Sequence, residues 1–480
     1  MRISKILSVV FLCFISLTVL AKDAYNFSVT IKGYGNRKFF LGYYFGDKQY
    51  LRDSAFTDAS GKMIFKGEKV LEGGIYLIAT ADKSLLFDFV MTEMFFSLDT
   101  DSIDIIDNMK VKGSAENDVF FMYTKYTTKA GTEANQLDKK IREVKEIKDT
   151  AQERKLIARY REVLNELNAL RAKIQSEYPG YLISKVFKMM EEVKIPEPPK
   201  SSDGSIDSNF QYYYYYNHYF DNFDFSDSRI SRTPVFHPKF EQYMLKLTVQ
   251  MPDSINKSAD FVLTRAIKGK ENFKYCLYWI TNHYEVSQYM GMEGVFNHMV
   301  DEYYVKGKAY WVDSNLVREM KNKADKQRYN LMGLKGKNIT MPDTANKYQS
   351  LYNIDAKYTV LVFWNATCGH CKEELPKIDS AYLVLNKNYI LKKQLFLDVF
   401  SVSLTDNVED LKKFLQEKKF SWKANVHNYN NESDFRWYYD VFTTPVMYIL
   451  DENKKIIAKR LPAGQILDFI QNYDRDKLSK

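Results

Sequence analysis

Residues 359–376 read TVLVFWNATCGHCKEELP. An apolar run ends at Trp364, the chain turns polar, and two cysteines follow with only Gly369 and His370 between them. A short apolar run bounded by turn residues reads as a buried strand, and the charged stretch behind it as a helix. Cys368 then falls at the mouth of that helix and Cys371 inside its first turn. The partial positive charge of a helix start favours thiolate over thiol. Residues three apart are neighbours on a helix, so the two sulfurs can bond. The outer sulfur is reachable and the inner one shielded. Cys368 is therefore the expected attacking thiolate, and Cys371 the thiol that resolves the mixed disulfide. His370, cationic near its ordinary pKa of about 6.5, places a positive group beside Cys368 and favours its ionised form.

Two other readings of the quartet fare worse. Zinc takes four ligands, usually as two separated pairs, and no second Cys/His pair accompanies Cys368, His370 and Cys371. His218, His237, His283, His298 and His427 are scattered without ligand spacing. A purely structural disulfide here would close a tiny loop and restrict the unfolded chain little. Cys276, in FKYCLYWI, reads as a small buried hydrophobe. No metal or cofactor is expected beyond a redox-active Cys368–Cys371 disulfide.

Downstream, strand and helix patterns alternate. LFLDVFSVSL, PVMYILD and KKIIAKR read as strands; VEDLKKFLQEKK, SDFRWYYDVF and the stretch from Ala463 read as helices. Together with KNITMPDT and NKYQSLYNI ahead of the first strand, they predict an α/β domain over 333–480.

Upstream, residues 22–114 contain short alternating runs such as YNFSVTIKGY, RKFFLGYYF, GKMIFKGEKV and GIYLIATAD. Their regular spacing predicts a small antiparallel β-sandwich. Residues 115–332 predict a helical domain. From Asn135 to Ser176 there is no Gly or Pro, and apolar residues recur from Leu137 to Ile174 at helical spacing in one narrow stripe. One or two long solvated helices are expected, with the charges on the wet face. The run Tyr212–Tyr216 covers every face of a helix, so some rings should be buried and others exposed.

The segment FWNATCGHCKEELP resembles the active site of thioredoxin-fold proteins, and residues 333–480 resemble the ResA/TlpA group of exported thiol-disulfide oxidoreductases. Pro376 stands where thioredoxins carry the proline of their active-site helix. Thr444-Pro445 opens the strand PVMYILD, where that fold places a cis-proline opposite the redox pair. The resemblance implies that Pro445 holds a substrate backbone beside the disulfide and that Glu374 helps proton traffic at the thiols. Val362 occupies the place of thioredoxin's buried aspartate and Thr367 that of its tryptophan, so proton transfer to Cys371 cannot copy thioredoxin. The whole layout, with DNFDFSDSRISRTPVFHPKFEQY at 221–243, is similar to multidomain oxidoreductases of Bacteroidetes. A multidomain chain is thus expected: N-terminal β-sandwich, helical middle domain, C-terminal α/β thioredoxin-like fold.

The net charge of +8 comes from 69 basic and 61 acidic residues, well mixed and without the basic stripe of a nucleic-acid binder. Residues 1–21 read as a secretory signal peptide. Arg2 and Lys5 precede an apolar run from Ile6 to Leu20, with Val19 and Ala21 near a cleavage site. The run is shorter than the roughly 20 residues a membrane span needs. The expectation is an exported thiol-disulfide oxidoreductase of the periplasm or cell envelope that reduces or isomerises protein disulfides by dithiol/disulfide exchange, with an outside electron donor or acceptor. Nucleic acid is not an expected partner, and the membrane only through an uncleaved signal. A peroxiredoxin-like peroxidase shares the fold, but its Thr-x-x-Cys spacing is not met at Asn365. A cell-envelope binding protein with an accessory redox unit is the non-enzymatic alternative.

Overall fold

A computed structural model describes residues 23–200, 203–287, 289–387, 395–428 and 435–478. The export signal expected over 1–21 lies outside them. The chain forms two compact units. One runs to Tyr243 and includes Ala266–Asn272; the other holds Met244–Arg265 and everything from Phe273 onward. The helices expected over 115–332 are shared between the two.

The first unit opens with eight strands: β1 (Tyr25–Lys32), β2 (Lys38–Phe45), β3 (Lys48–Phe56), β4 (Lys62–Gly67), β5 (Gly74–Thr80), β6 (Leu85–Met91), β7 (Phe95–Asp101) and β8 (Lys110–Lys112). They make two four-stranded sheets, β4-β1-β7-β8 and β3-β2-β5-β6. Successive side chains of a strand face opposite sides. Tyr25, Phe27, Val29 and Ile31 of β1 accordingly all point into a core shared with Phe39, Leu41, Tyr76 and Phe89 of the other sheet. The sandwich departs from a purely antiparallel one, because β1 and β7 run parallel with Phe27 opposite Phe96. The two strands are far apart in sequence and joined through the other sheet, so no hairpin dictates their sense.

Two long helices follow, α1 (Ala115–Glu146) and α2 (Thr150–Glu177). Each starts on a capping side chain: Ser114 accepts from the Asn117 amide and Asp149 from the Gln152 amide. The narrow stripe becomes their seam, where Ala130, Leu137 and Val163 are buried with Leu156 and Tyr160 against them. The unit continues with α3 (Leu182–Met190), α4 (Phe210–His218) and α5 (Phe236–Gln242). The five tyrosines lie on α4, and the expectation that some are buried fails. Tyr212 and Tyr213 are exposed and the other three are half-buried, Tyr216 stacking on Tyr243 at 5.0 Å. A helix of nine residues packed on one side has no place for a ring on every face.

The second unit contains α6 (Pro252–Ala266), α7 (Lys270–Glu285), α8 (Glu293–Met299) and α9 (Ser314–Gln327), although the end of α6 and the start of α7 belong to the first. A short hairpin, β9 (Thr340–Pro342) with β10 (Tyr348–Ser350), leads into β11 (Ala356–Trp364). Then come α10 (Gly369–Asn386), β12 (Leu395–Ser403), α11 (Val408–Lys418), β13 (Ala424–His427), α12 (Phe435–Tyr439), β14 (Val446–Asp451), β15 (Ile456–Lys459) and α13 (Ile466–Leu478). The five strands order as β13-β12-β11-β14-β15, with β11, β12 and β13 parallel and the last two antiparallel. β11 is central and covered on both faces, hence its continuous apolar run. Val360, Val362 and Trp364 pack with Cys371, Leu375 and Ile378 of α10 and Ile466 of α13. Leu361 and Phe363 pack with Phe435 and Tyr439 of α12.

Candidate active site

The cysteine pair sits where β11 gives way to α10. After Trp364 the chain makes a tight turn, in which the Thr367 amide and hydroxyl both donate to Asn365 Oδ1, at 2.9 and 2.8 Å. The turn is tied to the neighbouring strand. The Ala366 amide donates to Thr405 Oγ1 at 2.9 Å, and the Leu404 amide to the Trp364 carbonyl at 2.7 Å. α10 begins at Gly369, which makes Cys368 its N-cap with extended backbone. Cys371 lies one turn in and is fully buried, whereas Cys368 is partly exposed. Both are free thiols.

Across the site the Thr444–Pro445 peptide is cis, as the resemblance implied. It brings the Thr444 carbonyl to 3.5 Å from Cys368 Sγ. Burial works against ionisation of Cys368, but hydrogen bonds with the Cys371 amide and thiol, with Thr444 and with the His370 amide outweigh it. Its pKa lies below the ordinary 9.0. Burial pushes Cys371 the other way, up to about 11, with the neighbouring Cys368 sulfur adding to the rise. The two thiols are thus split into an ionisable outer group and a protonated inner one. Val362, at the place of thioredoxin's buried aspartate, belongs to the same apolar cluster as Cys371.

The other expected site residues divide. His370 is exposed, and its backbone amide is among the groups that lower the Cys368 pKa. Glu374 accepts from Lys377 Nζ at 2.5 Å and from the Ala463 amide at 2.8 Å. The Lys377 bond, ahead of the smaller effect of the Ala463 amide, holds its pKa below the usual carboxylate range. Its hydrogen bonds tether α10 to Ala463, just ahead of the last helix. Asn365 and Thr405 were not foreseen. Their part is to hold the turn, and Thr405 arrives through the parallel pairing of β11 with β12. Among the described residues no group of three or more His, Cys, Asp or Glu is placed to hold a metal ion.

Residues 332–459 match the AhpC/TSA family, and the α/β topology around the pair covers the same stretch. A solved domain of a possible thiol-disulfide isomerase from Cytophaga hutchinsonii is 37% identical to the chain. That match covers 31% of this chain and 97% of that one, with a TM-score of 0.28. Residues 332–459 thus form a thioredoxin-like domain of the AhpC/TSA family. That domain is accordingly of an oxidoreductase family. A thioredoxin domain of a thiol-disulfide oxidoreductase from Bacteroides vulgatus is 25% identical, covering 30% of this chain and 96% of that one at TM-score 0.26. A thioredoxin-like protein from Bacteroides caccae is 19% identical, covering 58% and 99% at TM-score 0.41. Ahead of the AhpC/TSA domain, residues 145–332 match a domain of unknown function, DUF5106. Among the curated proteins none matches.

Proposed function

We propose that the chain exchanges disulfides with protein substrates outside the cytosol, Cys368 attacking and Cys371 resolving. The observation that carries this reading is the split pair: an outer sulfur of lowered pKa beside the Thr444 carbonyl, and a buried thiol one turn behind it. The Cys368 thiolate attacks one sulfur of a substrate disulfide, whose S–S bond breaks as the mixed disulfide forms. The leaving sulfur takes a proton. Cys371 then loses its proton and attacks Cys368 Sγ, releasing the second substrate thiol and closing Cys368–Cys371. Two electrons and two protons have passed to the substrate, and an outside dithiol returns them. Run backwards, the same steps oxidise a dithiol. Pro445, beside the Thr444 carbonyl, lines the place where a substrate backbone would lie. Export rests on the sequence of residues 1–21; among the described residues no helix is long and apolar enough to cross a membrane.

The test is trapping. Cys371→Ser should accumulate a mixed disulfide with reduced-and-reoxidised substrates such as insulin, visible on non-reducing gels, and Cys368→Ser should show neither adduct nor turnover. Turnover surviving in Cys368→Ser would sink the reading. The reduction potential then sets direction: about −180 mV or above supports oxidation or isomerisation, and about −270 mV supports reduction.

The AhpC/TSA match favours a second reading, peroxide reduction. Cys368 thiolate would cleave the O–O bond to give a sulfenic acid and water, and Cys371 would condense with it, releasing a second water. Consumption of hydrogen peroxide faster than insulin reduction would select it.

A further inference from the structure

The segment before Pro445 carries an aromatic side chain that the fold leaves in solvent. Val441 is buried, but Phe442 next to it is 68% exposed. Phe442 stands two residues before Thr444, so their Cα atoms lie within about 7 Å of one another. Thr444 in turn contacts Cys368 Sγ. A disulfide presented to Cys368 therefore brings its flanking residues past this ring. Trp437, on α12, is 45% exposed. Lys326, near the end of α9, reaches both rings: its Nζ is 5.1 Å from the centroid of Phe442 and 5.9 Å from that of Trp437. These are cation–π distances.

The surrounding charges are already matched. Asp325 is held by Lys321 and Arg328, and Asp440 by Arg460. Among the described residues Lys326 has no carboxylate partner. The lip is thus an exposed apolar surface, of the kind that marks a contact, carrying one uncompensated positive charge. Lys326 lies within the residues that match DUF5106, not within those that match AhpC/TSA.

We propose that Phe442, Trp437 and Lys326 form a docking lip that selects extended polypeptide substrates bearing an aromatic or aliphatic side chain and a carboxylate beside the reacting cysteine. The apolar side chain packs on Phe442 and Trp437, and the carboxylate pairs with Lys326. This rests on the exchange reading above. It gives the helical region a share in substrate choice.

The experiment compares three disulfides on the full chain: bis(2-hydroxyethyl) disulfide, a short peptide disulfide flanked by Phe and Glu, and the same peptide with Ser and Lys in those places. Wild type should favour the Phe/Glu peptide by kcat/KM. Phe442→Ser should lower the ratio of Phe/Glu peptide to small disulfide by about tenfold, the scale of one apolar contact. Lys326→Glu should invert the preference between the two peptides. Ratios unchanged in both variants would overturn the proposal. Failure of wild type to turn over any of the three would instead count against the exchange reading. The lip is then judged by binding of the Phe/Glu peptide with serine in place of its cysteines, followed by tryptophan fluorescence, where absence of saturable binding overturns it.

Discussion

At the residue scale, two cysteines in one helical turn are made unequal by a few hydrogen bonds and by depth. The lowered pKa of Cys368 fixes the sign of its pH dependence. A group favoured as thiolate reacts with iodoacetamide at a rate that climbs with pH and levels off below the ordinary thiol midpoint of 9.0. Cys371 should stay unmodified until the pH nears 11, or until the chain unfolds. Mass spectrometry of each cysteine after pulsed alkylation reads both midpoints; coincident midpoints would contradict the split. Glu374 gives a second check. Its hydrogen bonds go to Lys377 and Ala463, so Glu374→Gln should leave the exchange rate and its pH profile at wild-type values. A shifted profile would instead support the proton-carrying role that the resemblance implies. The pair itself was legible because cysteine spacing is local. The lowering of Cys368 was not, because the groups that cause it, the Cys371 amide and thiol, Thr444 and the His370 amide, are brought to the sulfur by the fold.

At the element scale, the elements with a face to bury were the readable ones. β11 shows an unbroken apolar run because helices cover both sides of it, and α1 and α2 show one stripe because they bury one seam. β3 escaped notice: its nine residues are nearly all exposed, so it carries no alternation, and it forms on the edge of its sheet through pairing with β2. The joint between β6 and α1 was equally silent. There the buried Asn117 bonds both backbone groups of Val90, accepting from its amide at 2.8 Å and donating to its carbonyl at 2.7 Å. Asn117→Ala strands a buried donor and a buried acceptor at once, so a loss of about 1–3 kcal/mol per orphaned group is expected. Urea unfolding of the variant measures it, and a loss under about 0.5 kcal/mol, the scale of an ordinary surface change, would mean that water or a neighbour takes over.

At the scale of the molecule, two compact units mean two cores with separate duties. Phe27 belongs wholly to the first: it is buried in the sandwich and stacks on Phe96 at 4.9 Å. The groups that set the Cys368 pKa all belong to the second. Removing the Phe27 ring leaves a cavity among Phe65, Phe89 and Phe96, and such truncations cost about 3–5 kcal/mol. Phe27→Ala should therefore lower the unfolding temperature of the sandwich while kcat for a small disulfide, assayed below that temperature, stays at the wild-type value. Calorimetry read beside turnover separates the two effects. A parallel fall in both would show that the thiols of the second unit depend on the core of the first.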